Sequence, residues 1–266
     1  MSGNFTIRPV EPGDRPALGT LWADCFGDDA ALIDGFFALL PELGVGAAAE
    51  LDGEAVGMAY AICGMELSDG RRVGYIYAVA VDERCRSLGI GTALTRAAAD
   101  AARTVGAEII CTLPANDPLY PWYEKLIGTH HILRRRCESV SAGSGTACRL
   151  IGAAEYNSRR EALLSDVPHL RVSTACMELQ ALLCSTYGGG LYALDNGIAA
   201  AYLDGGKCVI RELICQDGER AENAAALAGL LGAETAELFS PDPEGEKYVA
   251  LDSPVPPDTV WNIAFD

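Results

Sequence analysis

The sequence predicts a mixed α/β protein, a mixed sheet flanked by helices, arranged as two modules in tandem. Three observations carry this. Apolar runs of period two alternate along the chain with helical stripes, so neither element type dominates. A meander of strands, a helix and a further strand follow one another over residues 46–113, and the same order returns after about residue 150. The 266 residues are half hydrophobic, enough to bury one large core or two ordinary ones. The modules are expected at 1–150 and 151–266, the second smaller and without the glycine loop of the first.

Each element has its local reason. "FTIRPV" (5–10) reads as a short strand and "GDRPALGTLWADCF" as a helix. "DDAALIDGFFALL" is a second helix, with Asp28 as its N-cap and Pro41 as its stop. In "GVGAAAELDGEAVGMAYAI" the pair Asp52-Gly53 marks a hairpin turn. "RRVGYIYAVAV" (71–81) is a strand rich in Val, Ile and Tyr. Leu94, Ala97, Ala98, Ala101, Ala102 and Val105 form the apolar stripe of the next helix, and Gly106 stands at its C-terminal cap. "AEIICTL" (107–113) is a strand and "PLYPWYEKLIG" (118–128) a short helix. "HILRRRCESV" and "GTACRLI" are expected as a closing pair of strands. Beyond them, "EYNSRREALLS" and "MELQALLCSTY" read as helices. "GGGLYALDNGIAAAYLDGGKCVIRELI" reads as three strands turning at Asn196-Gly197 and Gly205-Gly206, followed by the helix "AENAAALAGLLG" and the strand "AETAELF".

Composition excludes several functions. Twenty basic and 37 acidic residues leave a net charge of −17. Nucleic acid and anionic membrane both need their phosphates neutralised, so neither is expected as a partner. No stretch approaches the roughly 20 apolar residues that span a bilayer. The opening "MSGNFTIRPVEPGDRP" has neither a basic n-region nor an apolar h-region, so a cytoplasmic protein is expected. The ten cysteines include no C-x-x-C pair, and His130, His131 and His169 complete no zinc pattern. Reduced thiols and no metal are expected.

The segment "RSLGIGTAL" (86–94) places two glycines one residue apart immediately before a helix. Glycine permits strained backbone and close approach, and a helix start offers unpaired N–H groups that suit a phosphate. The nucleoside triphosphatase loop is excluded, because no G-x-x-x-x-G-K-[ST] follows. The dinucleotide fingerprint needs a small residue where Leu94 stands. What remains is R-x-x-G-x-G, from Arg86 to Gly91.

Here the chain resembles the GNAT superfamily of N-acetyltransferases. The matching stretch is "YIYAVAVDERCRSLGIGTALTRAAADAARTVGAEIICTLPANDPLYPWYEKLIG", residues 75–128, and "IRPVEPGDRPAL" is similar to the family's opening strand and helix. The resemblance covers residues 5–150 well and 151–266 weakly, which implies a degenerate GNAT-like second module. It also implies acetyl-CoA as cosubstrate. The amides of Ser87, Leu88, Gly89, Ile90, Gly91 and Thr92, with Arg86, would take the pyrophosphate. The edge of Val79, Ala80 and Val81 would pair with the pantetheine amides, and Asn116 would help hold the donor unless it only forms a turn.

Acetyl transfer to an amine requires the ammonium deprotonated, the thioester carbonyl polarised and the thiolate protonated. In the resembling enzymes the amine attacks directly, so no catalytic cysteine is implied. Tyr123 in "PWYEKLIG" matches the tyrosine that protonates the thiolate, with Tyr120 as reserve; the competing reading makes Leu119, Tyr123 and Leu126 a core stripe. The base stays open among Tyr75 and Tyr77, Glu66 through water, and an acceptor of low pKa. Asp24, Asp28, Asp29 and Asp34 could rim a cationic acceptor or serve as caps and solvated face. In the second module "CQDGERAENAAAL" offers only Gly218 and brings Asp217, Glu219 and Glu222 toward a helix start, so one coenzyme A per chain is expected. The alternative from another class is a non-catalytic acyl-CoA-binding sensor. The oligomeric state is open.

Overall fold

A computed structural model describes residues 5–145, 148–256 and 258–265, apart from the Asp217 side chain. The first half runs β1 (Thr6–Pro9), α1 (Arg15–Phe26), α2 (Ala30–Leu43), β2 (Gly44–Leu51), β3 (Glu54–Leu67), β4 (Arg72–Val81), α3 (Ile90–Thr104), β5 (Ile109–Thr112), α4 (Leu119–Ile127). It continues with β6 (His131–Ser141), β7 (Arg149–Leu150), α5 (Ala153–Leu163), β8 (Leu170–Val172), α6 (Thr174–Thr186) and β9 (Gly190–Leu194). The chain then forms β10 (Gly197–Asp204), β11 (Lys207–Ile214), α7 (Arg220–Leu231), β12 (Thr235–Pro241) and β13 (Glu246–Leu251).

Two compact units result, and neither is one continuous stretch. The first holds the chain up to Leu133 plus Lys247–Val255; the second holds Arg134–Glu246 and the residues from Pro256 on. The division falls at Leu133 rather than near residue 150, because long-range pairing decides it. In the first unit the strand order is β1-β2-β3-β4-β5-β13, antiparallel except for the parallel pair β4–β5. In the second it is β6-β12-β11-β10-β9-β7, with β11–β12 the parallel pair. Both units therefore repeat one scheme: a three-strand meander, a helix, a parallel strand, and an antiparallel strand beside it. The last place is filled out of order, by β13 in the first unit and by β6 in the second. The expected closing pair is corrected accordingly: β6 pairs with β12, and β7, shorter than expected, pairs with β9. Residues 146 and 147 of the expected seventh strand lie outside the described residues.

In the first unit α3 lies on one face of the sheet, where Leu94, Ala98 and Ala102 bury against Ala59, Ala61, Ile76 and Ile110. The approach is close: a Cβ on Gly74 would stand 2.7 Å from Cβ of Ala102. Because side chains alternate along a strand, Tyr60, Tyr75 and Tyr77 point to the opposite face. There Trp22 of α1 and Phe36 of α2 pack on Tyr60 and Tyr77 at ring separations of 5.0–5.9 Å. Val105, expected in the buried stripe, is exposed.

Two expectations about α2 are corrected. Its N-cap is Asp29, whose carboxylate accepts from the N–H of Leu32 at 2.8 Å; Asp28 instead accepts from Nε1 of Trp22 at 2.7 Å. Pro41 lies inside the helix, in the last turn, where its missing N–H costs one hydrogen bond near an end that Gly44 closes onto the Leu40 carbonyl.

In the second unit α7 covers one face through Ala224, Leu227 and Ala228. On the other face, α5 brings Tyr156 and Arg160 onto Glu212 of β11. Arg160 and Glu212 are fully buried, 3.0 Å apart, and Arg160 also donates to the Leu170 carbonyl at 2.6 Å. These bonds offset the cost of burying both charges, although Arg160 Nη2 is buried without a hydrogen-bond partner among the described residues. All ten cysteines are free thiols. Among the described residues, no group of three or more His, Cys, Asp or Glu could hold a metal ion, and no helix is long and apolar enough to cross a membrane.

Candidate active site

The parallel pairing of β4 with β5 runs from Val73↔Ile109 to Ile76↔Thr112 and ends there. Beyond it, β4 changes course. Tyr60 pairs with Tyr77 and Met58 with Ala80, so Ala59 faces two residues, Ala78 and Val79. This is a β-bulge, and Ala78 takes a left-handed backbone with φ 47°. The strands thus part where β4 carries Val79, Ala80 and Val81 toward the loop. Val79 and Val81 pack on the α3 side of the core, and Ala80 is buried.

The loop then makes a single 3-10 turn, Glu83–Cys85, capped by Asp82, whose carboxylate accepts from the N–H of Arg84. Arg86 is extended and exposed, with Nε 3.4 Å from the Val81 carbonyl. Ser87 (φ 70°) and Gly89 (φ 84°) are both left-handed. Among the described residues, two of the four non-glycine residues with positive φ, Ala78 and Ser87, therefore fall in this one segment. Such strain collects where a structure serves something other than its own stability.

Gly89 is the N-cap of α3, and it supplies no side-chain acceptor to the first turn, which holds no acidic residue. The first-turn amides of Ile90, Gly91 and Thr92 are thus uncapped by any side chain, with the positive end of the helix dipole behind them. Ile90 gives its side chain to the core and Thr92 is half-buried. The two glycines differ. Gly89 is required by its backbone, whereas Gly91 has no positive φ and an added Cβ would meet only Val81, at 3.6 Å. Nothing in the fold demands a glycine at position 91, so its bare backbone faces open space by choice of sequence.

Tyr123 reaches the parting point from α4. Its ring is buried in the core cluster, near the side chain of Thr112, the last paired residue of β5. Burial raises its pKa, and the Thr112 hydroxyl opposes that rise. The phenol is therefore neutral and a proton donor at ordinary pH. The core-stripe reading and the chemical one both describe this residue. Tyr120, the reserve, donates to the Tyr248 carbonyl at 2.7 Å, and Lys247 stands 5.0 Å over its ring. Asn116 is exposed in the loop after β5, and its carbonyl accepts from Leu119 at the turn into α4.

Of the base candidates, Tyr75 and Tyr77 flank the parting point on the α1–α2 face, ring centroids 6.0 Å apart. Glu66 does not join them: it pairs across from Arg72, at the far end of β4. Four residues of strand, about 13 Å, separate Arg72 from Ile76. The acidic residues of the first two helices are largely committed. Asp28 holds Trp22, Asp29 caps α2, Asp34 pairs with Arg15 at 2.7 Å, and Asp24 lies exposed on α1.

In the first unit a meander feeds a parallel strand through a strained loop and a helix start with no side-chain cap, and the pairing of the two parallel strands ends beside it. Residues 14–128 match the model of the acetyltransferase (GNAT) family. Among solved structures it is similar to the GCN5-related N-acetyltransferase from Kribbella flavida, at TM-score 0.68 and 15% identity over 94% of this chain and 71% of that one. A GCN5-related N-acetyltransferase from Anabaena variabilis gives TM-score 0.67 and 10% identity over 93% and 72%, respectively. Eis1 from Mycobacterium abscessus gives TM-score 0.60 and 16% identity over 93% and 73%. These likenesses establish the fold. No curated protein matches the sequence.

Proposed function

We propose that the first unit is an acetyl-CoA-dependent N-acetyltransferase that passes the acetyl group to a primary amine by direct attack within a ternary complex. The observation that carries this reading is the parting of β4 and β5 beyond Ile76 and Thr112, beside a helix start with no side-chain cap. The residues fit the donor. Gly91 leaves room that a Cβ would fill, and the amides from Ser87 to Thr92 suit a pyrophosphate. Arg86 is free to swing onto the same charge. The edge of Val79, Ala80 and Val81 suits the pantetheine amides, which pair as a strand does, and Asn116 sits beside the same opening.

The donor supplies an acetyl thioester. The amine nitrogen bonds to the carbonyl carbon, the C–S bond breaks, and its electron pair goes to sulfur. Tyr123 gives its phenolic proton to that sulfur, the amine loses a proton to solvent, and Tyr123 is reprotonated from solvent. The rival reading, a sensor that binds acyl-CoA without turnover, shares the donor contacts. Thiol release from acetyl-CoA across a panel of amines separates the two. Acceleration by at least one amine supports the transferase; coenzyme A binding with no amine-dependent release assigns the sensor.

A further inference from the structure

We propose that Tyr120 is a positioning residue for Tyr123. Its phenol fastens α4 to the Tyr248 carbonyl of β13, and so fixes Tyr123, one turn further along the helix, where the β4–β5 ladder ends. The inference rests on reading Tyr123 as the acid.

The need for an anchor starts in α4 itself. The helix has nine residues and begins on Pro118 without a side-chain cap. A helix this short is marginal on its own, so its place is set by what it touches. Tyr123 and Ile127 give it an apolar footing in the core, with Leu119, Trp122 and Leu126 around them. Apolar contact is non-directional, and alone it leaves a helix free to turn or slide slightly. A hydrogen bond has a direction. Tyr120 Oη donates to the Tyr248 carbonyl at 2.7 Å, and both residues are buried.

β13 is a firm support, and it stands at the right level. It runs antiparallel to β5, with Ala250 opposite Thr112 and Leu251 opposite Cys111. Asp252 extends the hold. Its N–H donates to the Ile110 carbonyl, and its carboxylate accepts from the Ile110 N–H and from Arg103 of α3, each at 3.0 Å. Because the strands are antiparallel, stepping back from Ala250 to Tyr248 carries β13 about 7 Å past Thr112. Ile76 and Thr112 are also the last rung between β4 and β5. The Tyr248 carbonyl therefore lies beyond that rung, and Tyr120 hangs α4 from it. Lys247 braces the same turn from outside, 3.2 Å from Asp117 and 5.0 Å over the Tyr120 ring. With its one hydrogen on a carbonyl, the Tyr120 phenol serves as an anchor rather than as the acid.

Tyr120→Phe keeps the ring and removes only the hydroxyl. The first readout needs no substrate. In hydrogen–deuterium exchange the amides of 119–127 should exchange about tenfold faster, the loss of one hydrogen bond, while those of 90–104 hold. The second readout is kcat per folded protein for thiol release from acetyl-CoA with the fastest amine of the panel. It should fall about tenfold through misplacement of the acid, with KM for acetyl-CoA unchanged. In a Tyr123→Phe background the same change should cost no further kcat, because no acid is left to misplace. Unchanged exchange in α4, or unchanged kcat, in Tyr120→Phe overturns the proposal. So does a tenfold loss that persists in the Tyr123→Phe background, since Tyr120 would then act by another route. If Tyr123→Phe itself keeps full kcat, the reading of Tyr123 as the acid fails, and the proposal fails with it.

Discussion

The two helix starts that follow the meanders, α3 in the first unit and α7 in the second, differ in what occupies the space between their parallel strands. In the first unit β4 and β5 pair over four residues and then part, and the helix opens on Gly89, Ile90 and Gly91 with no side-chain cap. In the second, β11 and β12 pair over three residues, Cys208–Ile210 against Ala236–Leu238, and a bulge at Arg211 mirrors the one at Ala78 and Val79. There the first helical residue is Arg220. Its guanidinium donates to the Leu213 carbonyl of β11 at 3.0 Å, to the Phe239 carbonyl of β12 at 3.3 Å, and to the Ser240 hydroxyl at 3.1 Å. Where the first unit leaves strand edges parted, the second staples them with its own side chain. Glu219 at the N-cap and Glu222 in the first turn already answer the helix dipole. One topology thus carries two different first turns, one without a side-chain cap and one filled by an arginine.

The comparison breaks most visibly in the second unit's core. Arg160 and Glu212 are fully buried and bonded to each other, so that face is spent on structure. Glu212→Leu should strand the guanidinium and lower unfolding free energy by about 3–5 kcal/mol in denaturant titration. A loss below 1 kcal/mol would mean the pair is incidental. Tyr123→Phe comes next. It should lower kcat about 10²-fold while coenzyme A affinity holds, and unchanged turnover would remove Tyr123 from the chemistry. The smallest effect is expected of Arg220→Met. Losing hydrogen bonds from one half-exposed cation should cost about 1–2 kcal/mol, and coenzyme A should still bind once per chain, since Glu222 and the missing glycine loop remain. A second bound equivalent in that variant would make the arginine staple the sole barrier, sharpening the comparison to one residue.

Much of the fold could be read before any coordinates, because its signals are local. The run from Tyr75 to Gly128 announces strand, loop, helix, strand and helix through side-chain period and glycine placement, and each falls within a few residues of its expected position. The repeated order of elements was readable for the same reason. The exchange of last strands was not. "EKYVAL" is short, and its place beside β5 depends on a partner far away in sequence. Asp28 and Asp29 are equivalent as text; only the indole of Trp22 decides which one caps. Arg220 was hidden in the same way. The connector before α7 reads as carboxylates, whereas its decisive group is a guanidinium that finds two carbonyls on separate strands.

The central claim is that one of two similar helix starts is a donor site and the other is filled by its own protein. Titration calorimetry with coenzyme A tests it most directly, on the wild type and on Gly91→Asp. Aspartate in a first helical turn suits the dipole, so that variant should fold, yet its carboxylate would stand where the pyrophosphate belongs. The account predicts a stoichiometry near one per chain in the wild type and no binding in Gly91→Asp. A stoichiometry near two, or one equivalent still bound by Gly91→Asp, would contradict it.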